Sequence, residues 1–149
     1  MRVVLQRVSR ASVRVDGIIV GAIDRGLLVL VGVEAGDGPS DITFIANKIR
    51  EVRIFPDADD KMNLSVQDAS GAVLVVSQFT LMGDVRKGRR PAFDAAEAPA
   101  TARAIYESLL TELRQSGLRI EAGVFQAHMD VELVNDGPVT ILLDSRKSF

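Results

Sequence analysis

The sequence contains no cysteine and no tryptophan, and it has a single histidine. Without cysteine there is no disulfide, no thiolate zinc site and no cysteine nucleophile, a composition typical of a reducing cytoplasmic compartment. The opening residues MRVVLQRVSR carry arginines and no long apolar run, so they predict neither a signal peptide nor a membrane anchor. We therefore expect a soluble cytoplasmic protein that does not contact a membrane.

An excess of positive charge is also absent, since the formal net charge is −2. Proteins that bind nucleic acid by bulk electrostatics need an extended excess of lysine and arginine, which argues against that mode of binding. One dense basic stretch, RKGRR, is present. Its cations, Arg86, Lys87, Arg89 and Arg90, either face solvent or contact phosphate groups.

The common catalytic and metal-binding motifs are missing as well. The one imidazole, His128, has no partners at the spacings of common metal sites, and no G-x-S-x-G segment presents a serine for a triad. The segment GVEAGDG has glycines but lacks the Lys-Ser/Thr pair of a nucleotide-binding loop. The sequence therefore predicts no metal ion and no cofactor, and we interpret His128 as structural.

The apolar pattern predicts one α+β domain over residues 1–149. Strands are expected at residues 3–8, 11–15, 18–23, 27–33, 72–81, 118–125, 129–134 and 139–143. Two main helices are expected, one with Ser40 as its N-cap and an isoleucine stripe, the other from Pro99 to Ser116. Strands joined by short turns favour a strongly curved, barrel-like mixed sheet, and self-association is one way to cover its free edge.

The most apolar strand runs into the polar segment SQFTL at residues 77–81. On a regular strand, Gln78 and Thr80 project from one face while Ser77 and Phe79 project from the other. Polar side chains at the end of a buried strand either bond to neighbouring backbone or point into a pocket. Both interpretations remain open from the residues alone.

A second unusual segment, NDGPVT at residues 135–140, interrupts two apolar runs. Asp-Gly-Pro is a common turn. However, Gly137 permits close approach to the main chain, while Pro138 removes a donor and fixes φ. The residues alone leave open whether the segment is a turn or a functional element.

Together, SQFTL and NDGPVT resemble the two signature segments of the bacterial D-aminoacyl-tRNA deacylases, the D-tyrosyl-tRNA deacylase family. The similarity includes the opening MRVVLQRVSRASV, the segment RRPAF and the segment GVFQAHMDVELVNDGPVT, so it extends over essentially the whole chain. Two signatures in the right order in a chain of the right length are more specific than either alone.

The resemblance implies a homodimer with active sites at the subunit interface. The Gly137-Pro138 loop, with a cis peptide bond, enters the partner's site and faces its strand end. The resemblance places the catalytic region at Ser77, Gln78, Phe79 and Thr80, with loop support from Arg7 and Thr140 and adenosine binding at Phe125 and Met129.

The implied reaction is hydrolysis of the ester that joins a D-amino acid to tRNA. Such an ester is already activated, and a ribose hydroxyl of the substrate can orient or activate water. Backbone N–H groups at residues 78–80 are candidates to stabilise the oxyanion. No base accompanies Thr80 in the sequence, which favours catalysis by positioning over a threonine nucleophile.

If the resemblance holds, we expect the same loop to select the handedness of the substrate. Rigid main chain pressed against the substrate amino group leaves room for a hydrogen but not for an L side chain. Glycine should then pass, so we expect activity on glycyl-tRNA, including glycine misattached to the tRNA for alanine. Two alternatives are a non-catalytic RNA-binding module and an enzyme that edits mischarged L-seryl-tRNA.

Overall fold

The computed structural model describes residues 1–149, which form eight strands, two α-helices and a short 3₁₀ helix. The strands are β1 (Arg2–Val15), β2 (Ile18–Ile23), β3 (Gly26–Gly32), β4 (Phe55–Pro56), β5 (Met62–Leu64), β6 (Ala72–Ser77), β7 (Ile120–Ala122) and β8 (Asp130–Asp144). The helices are α1 (Pro39–Glu51), α2 (Pro99–Arg114) and the 3₁₀ helix (Phe79–Met82).

Six of the strands form one mixed sheet in the order β2-β1-β3-β6-β7, with β8 paired to β1. β1 is antiparallel to its three neighbours, whereas β3, β6 and β7 run parallel to one another. The sheet curls until β2 approaches β7. A Cβ on Gly21 would lie 2.8 Å from the carbonyl oxygen of Ala122, so only glycine fits there. The predicted α+β domain with a strongly curved, barrel-like sheet and two main helices is confirmed.

The two helices cover one face of this sheet with the apolar stripes that the sequence predicted. Ile45 and Ile49 of α1 and Leu109 and Leu113 of α2 are fully buried in the larger core cluster. Burying each of these side chains stabilises the fold by about 1.5–3 kcal/mol. A smaller cluster, which includes Leu28 and Leu74, fills the other side of the curved sheet.

Several expected boundaries are wrong. α1 begins after Gly38, whose N–H donates to the carboxylate of Asp41 at 2.9 Å, so Ser40 lies inside the helix and is not its N-cap. The strands expected at residues 3–8 and 11–15 are one continuous strand, because β1 pairs with β3 along its first half and β2 along its second. The last two expected strands likewise form one strand, β8.

No helix is both long enough and apolar enough to cross a membrane.

Candidate active site

The carboxyl ends of the three parallel strands lie at one edge of the sheet. Val31 of β3 pairs with Ser77 of β6, and Val75 of β6 pairs with Ala122 of β7. The segment at residues 77–80 therefore leaves the sheet beside the chain that follows β7. Ligand sites commonly lie outside the carboxyl ends of parallel strands.

β6 ends at Ser77, which corrects the expectation of a strand through residue 81. The next residues turn into the 3₁₀ helix, so the predicted alternation of faces for Gln78 and Thr80 is wrong. The Gln78 N–H is already used, because it donates to the carbonyl of Val31 at 2.7 Å. The first hydrogen bond of the 3₁₀ helix runs from Leu81 N–H to the Gln78 carbonyl at 3.2 Å. The N–H groups of residues 79 and 80 therefore have no acceptor within the helix.

The side chains of this turn carry no acid or base. The Gln78 side-chain amide donates to the Thr80 hydroxyl at 3.1 Å. The Thr80 hydroxyl makes no other hydrogen bond. The Phe79 side chain is 60% exposed, although its ring packs on Phe93 with 4.9 Å between ring centroids. A threonine whose only side-chain partner is an amide lacks the base that a nucleophile requires. The turn can therefore supply backbone donors and shape.

The second signature forms a protrusion in the pairing of β8 with β1. Asn135 pairs with Val8 and Thr140 pairs with Gln6, so β8 covers the same stretch of the ladder with three more residues than β1. The Gly137–Pro138 peptide bond in this protrusion is cis, and the φ of Gly137 is +147°. Both residues are exposed to solvent.

Two side chains hold the base of this loop. Arg7, only 9% exposed, donates from Nε to the carbonyl of Asp136 at 3.0 Å and from Nη1 to the carbonyl of Ile54 at 2.6 Å. The Asn135 amide donates to the carbonyls of Arg7 and Val139, each at 2.9 Å. Sequence reasoning gave Asn135 no role, although it lies in the signature itself.

Thr140 is the first paired residue after the loop. Its hydroxyl accepts a hydrogen bond from the Gln6 amide at 3.2 Å. Thr140 thus lies where loop support was expected, but the contact is exposed and ties the strand rather than the loop.

The two signatures lie at opposite ends of the strands of the same sheet. Ser77 pairs with Val31 at the carboxyl end of β3, whereas Val8, which pairs with Asn135, pairs with Gly26 at the start of β3. The rise of a strand is about 3.3 Å per residue, so Gly26 and Val31 are about 17 Å apart along β3. The two signatures are separated by at least this distance along the strand direction. Within one chain, the loop therefore does not reach the turn at residues 77–80.

Phe125 and Met129 lie after β7, close to the edge that carries Ser77. The Phe125 ring is half-buried between Tyr106, at 5.8 Å between centroids, and the Arg103 guanidinium, 4.9 Å from the ring centroid. Met129 packs on the backbone, since a Cβ on Gly123 would lie 2.7 Å from its sulfur. Both residues, which the resemblance assigned to adenosine binding, are thus partly buried apolar side chains in the segment that follows β7. Sequence reasoning did not identify Arg103.

Other candidates are spread over the surface. His128 is 97% exposed and lies 4.0 Å from Asp130, so the expectation of a structural histidine is not supported. No group of three or more histidine or acidic side chains is arranged to hold a metal ion. Burial raises the pKa of the Tyr106 hydroxyl, which donates to the Val75 carbonyl at 2.9 Å and so acts in packing.

Comparison with known proteins places this arrangement among tRNA deacylases. The family model described as D-Tyr-tRNA(Tyr) deacylase matches residues 4–144. Proteins named D-aminoacyl-tRNA deacylase from Koribacter versatilis and Anaeromyxobacter dehalogenans are 64% and 62% identical over 149 residues, covering all of both chains. A third, from Thermotoga petrophila, is 58% identical over the same length.

Solved structures give the same fold. That of a protein named c-Myc DNA Unwinding Element Binding Protein aligns with a TM-score of 0.91 and 42% identity, covering 97% of this chain and 98% of that one. Another, a probable eukaryotic D-amino acid tRNA deacylase, aligns with a TM-score of 0.79 at 20% identity, covering 95% and 97%, and supports the fold alone.

The curved sheet and its polar strand end thus define a deacylase fold whose turn carries backbone donors and no side-chain base. The chain belongs to the D-Tyr-tRNA(Tyr) deacylase family. This confirms the resemblance inferred from SQFTL and NDGPVT.

Proposed function

We propose that this protein hydrolyses the ester bond of D-aminoacyl-tRNA, releasing a D-amino acid and tRNA, in active sites that two copies of the chain share. The main support within the fold is the separation of the two signatures across the sheet. A loop about 17 Å from the turn of its own chain can act at that turn only in another copy. The proposed location is the cytoplasm, where charged tRNA is used.

The surface around the loop supports association of two copies. β8 pairs only with β1, so its outer edge carries unpaired backbone groups along a strand of 15 residues. Long exposed strand edges are usually covered in native proteins. β8 also exposes Val131, Val134 and Leu142, which a partner can bury. A two-fold dimer would place the loop of each chain in the site of its partner.

In the proposed mechanism, the ester carbonyl lies against the first turn of the 3₁₀ helix. The free N–H groups of Phe79 and Thr80 stabilise the developing oxyanion, a contribution of about 2.7–4 kcal/mol for one well-placed donor. A ribose hydroxyl of the substrate orients or activates the attacking water. In this mechanism the protein stabilises the oxyanion and the substrate activates the water, which fits a turn whose side chains include no acid or base.

The partner's loop selects the D configuration in this proposal. Arg7 binds the carbonyl of Asp136 and Asn135 binds that of Val139, on either side of Gly137 and Pro138, and these bonds restrain the main chain between them. Carbonyls pressed against the substrate amino group leave space for hydrogen on one side of Cα. Glycine passes and L-amino acids do not, so glycyl-tRNA, including glycine on the tRNA for alanine, is also a substrate.

The terminal adenine occupies the space beside Phe125 and Met129 in this arrangement. Both residues lie at the edge that carries Ser77, and ring and thioether surfaces suit the face of a base. Each stacked base contributes about 1–3 kcal/mol to binding.

A proline substitution in the turn tests the mechanism. Phe79→Pro removes one free N–H at the first helical position, where proline breaks no helical hydrogen bond. Phe79→Ala removes the same ring but keeps the N–H, and it is the matched control. With D-tyrosyl-tRNA, we expect kcat to fall about 10²–10³-fold for the proline variant relative to the alanine variant. Equal rates for the two variants would remove the oxyanion role of this N–H.

A second candidate function is nucleic-acid binding without turnover, which is favoured by the similarity to a protein named for binding a DNA element. Substoichiometric protein mixed with D-tyrosyl-tRNA, L-tyrosyl-tRNA or L-seryl-tRNA separates the possibilities. We expect many turnovers with the D substrate alone. Binding of the tRNA with no hydrolysis of any ester would favour the binding module, and cleavage of L-seryl-tRNA would favour the editing enzyme.

A further inference from the structure

A basic loop, residues 84–92, extends from the turn that carries the candidate site. It begins two residues after the 3₁₀ helix ends at Met82. Its base is closed by Asp84 and Ala92, which exchange two backbone hydrogen bonds at 2.8 and 2.9 Å. The loop then leads directly into Phe93, whose ring packs on Phe79. The loop is therefore anchored at both ends to the turn at residues 77–80.

The cations of this loop differ in what they contact. The Arg86 guanidinium is paired, because its Nε and Nη2 donate to the Asp84 carboxylate at 2.9 and 2.6 Å. Hydrogen bonds from Arg86 lower the pKa of the Asp84 carboxyl to about 2, so this pair stays ionised. Arg86 thus has a partner already.

The remaining cations of the basic loop are Lys87, Arg89 and Arg90. All three are exposed, and none forms an ion pair or a side-chain hydrogen bond. These three unpaired positive charges lie within four residues of a chain whose net charge is −2. Gly88 between them has a φ of +105°, and no atom lies within 4 Å of the place where its Cβ would be.

We propose that Lys87, Arg89 and Arg90 bind phosphate groups of the tRNA backbone next to the aminoacylated 3′ end. This rests on the proposed function, which places the 3′ terminal ester at residues 77–80. A tRNA whose last nucleotide lies at that turn would bring the phosphates of the preceding nucleotides close to the anchored loop. Arginine and lysine are the residues that neutralise backbone phosphates, and each such contact releases counterions.

The chemistry of these contacts also predicts what the basic loop does not do. Phosphate contacts position a nucleic acid but carry no sequence information. The basic loop therefore adds affinity for any tRNA equally, without selecting the amino acid or its handedness. A chain that must act on many different charged tRNAs gains from contacts of this kind.

The test compares two triple variants that remove the same charge. The loop variant is Lys87→Ala, Arg89→Ala and Arg90→Ala. The control variant is Lys48→Ala, Lys61→Ala and Arg114→Ala, three exposed cations on α1, the β4–β5 hairpin and the end of α2. Binding of uncharged tRNA is measured between about 50 and 200 mM salt. Turnover is measured on D-tyrosyl-tRNA and on D-tyrosyl-adenosine, which has no phosphate.

Each phosphate contact contributes about 0.7–0.9 to the slope of log affinity against log salt, so three lost contacts make the slope shallower by about 2.1–2.7. For the loop variant we also expect KM for D-tyrosyl-tRNA to rise about tenfold or more at low salt. We expect unchanged kcat and unchanged turnover of D-tyrosyl-adenosine, and the control variant should match the wild type in every assay.

The proposal is overturned if the loop variant keeps the slope and the tRNA affinity of the control variant. It is also overturned if D-tyrosyl-adenosine turnover falls as much as tRNA turnover, since the loop would then act on the ester site. Failure of the proposed function has a different signature, namely no hydrolysis by the wild type. The tRNA-binding slopes still decide the role of the basic loop in that case.

Discussion

Ser77 and Gly137 lie at opposite ends of the strands of one sheet, as the residue pairing among β8, β1, β3 and β6 shows. Ser77 ends β6 beside the last residues of β3, while the loop that contains Gly137 branches from β8 beside the first. The two segments that carry the family resemblance are therefore apart in each chain. This separation is the basis for our proposal that the active site is shared between two chains.

Asn135→Ala should loosen the Gly-Pro loop. The Asn135 amide donates to the carbonyls of Arg7 and Val139, and both would lose that donor. We expect a loss of about 2 kcal/mol in the free energy of unfolding, together with a lower ratio of D- to L-tyrosyl-tRNA cleavage. Asn63→Ala, the same change in the exposed β4–β5 hairpin, is the control and should leave the ratio intact. An unchanged ratio for Asn135→Ala would mean that the hydrogen bonds of the Asn135 amide do not position the loop.

Arg7→Lys tests whether the fork of the guanidinium is needed. Arg7 reaches two carbonyls in different segments, those of Asp136 and Ile54, and a single ammonium is a poor replacement for this bidentate geometry. We expect activity on D-tyrosyl-tRNA to fall about 10-fold or more, since small displacements of a positioning element are costly. Arg14→Lys, on the same strand, changes an exposed ion pair with Glu132 and should retain full activity.

Gly137→Ala tests the shape of the loop directly. A Cβ at this position would lie 2.6 Å from Val139 Cγ2 and 2.7 Å from the Val139 nitrogen, and the φ of +147° disfavours any L side chain. We expect D-tyrosyl-tRNA cleavage to fall about 100-fold as the loop is displaced. Gly17→Ala is the control, because Gly17 also has a positive φ but open space around it. It should cost stability in the β1–β2 turn without changing turnover.

Acid stability should depend on Asp144. Burial acts to raise the pKa of this carboxyl, but hydrogen bonds from the Arg146 N–H, Ser148 and Arg2 outweigh it, so the pKa is lowered on folding. A lowered pKa stabilises the fold above about pH 4, and this stabilisation is lost as the pH falls through the folded pKa. Asp144→Asn should therefore be less stable than the wild type by about 1.5–3 kcal/mol at about pH 6.

Urea denaturation at about pH 6 and about pH 3 measures this difference. The gap between wild type and Asp144→Asn should narrow at the acidic value, while Asp59→Asn in the exposed hairpin should follow the wild type at both values. A gap of equal size under both conditions would show that the charge of Asp144 does not contribute.

The sequence predicted the sheet, both helices and the two signature segments because strong apolar periodicity and turn residues determine them locally. It could not predict that β6 stops at Ser77, since the apolar residues of the 3₁₀ helix Phe79–Met82 continue a pattern that also fits a strand. The same is true of Asn135, whose partners become visible only when β1 and β8 pair. Ser40 was misassigned as N-cap because Gly38, without a side chain, carries no capping signal of its own.

Heterodimers of marked chains test the shared active site most directly. A Phe79→Pro chain and a Gly137→Ala chain, co-expressed with different tags and purified as a mixed dimer, contain one site with both elements intact. We expect about half of the wild-type activity on D-tyrosyl-tRNA, although either parent alone is nearly inactive. A dimer of wild type with a chain that carries both substitutions should be inactive, because each of its sites has one damaged element. The reverse pattern, an inactive first dimer and a half-active second one, would refute the shared site and place all of its elements within one chain.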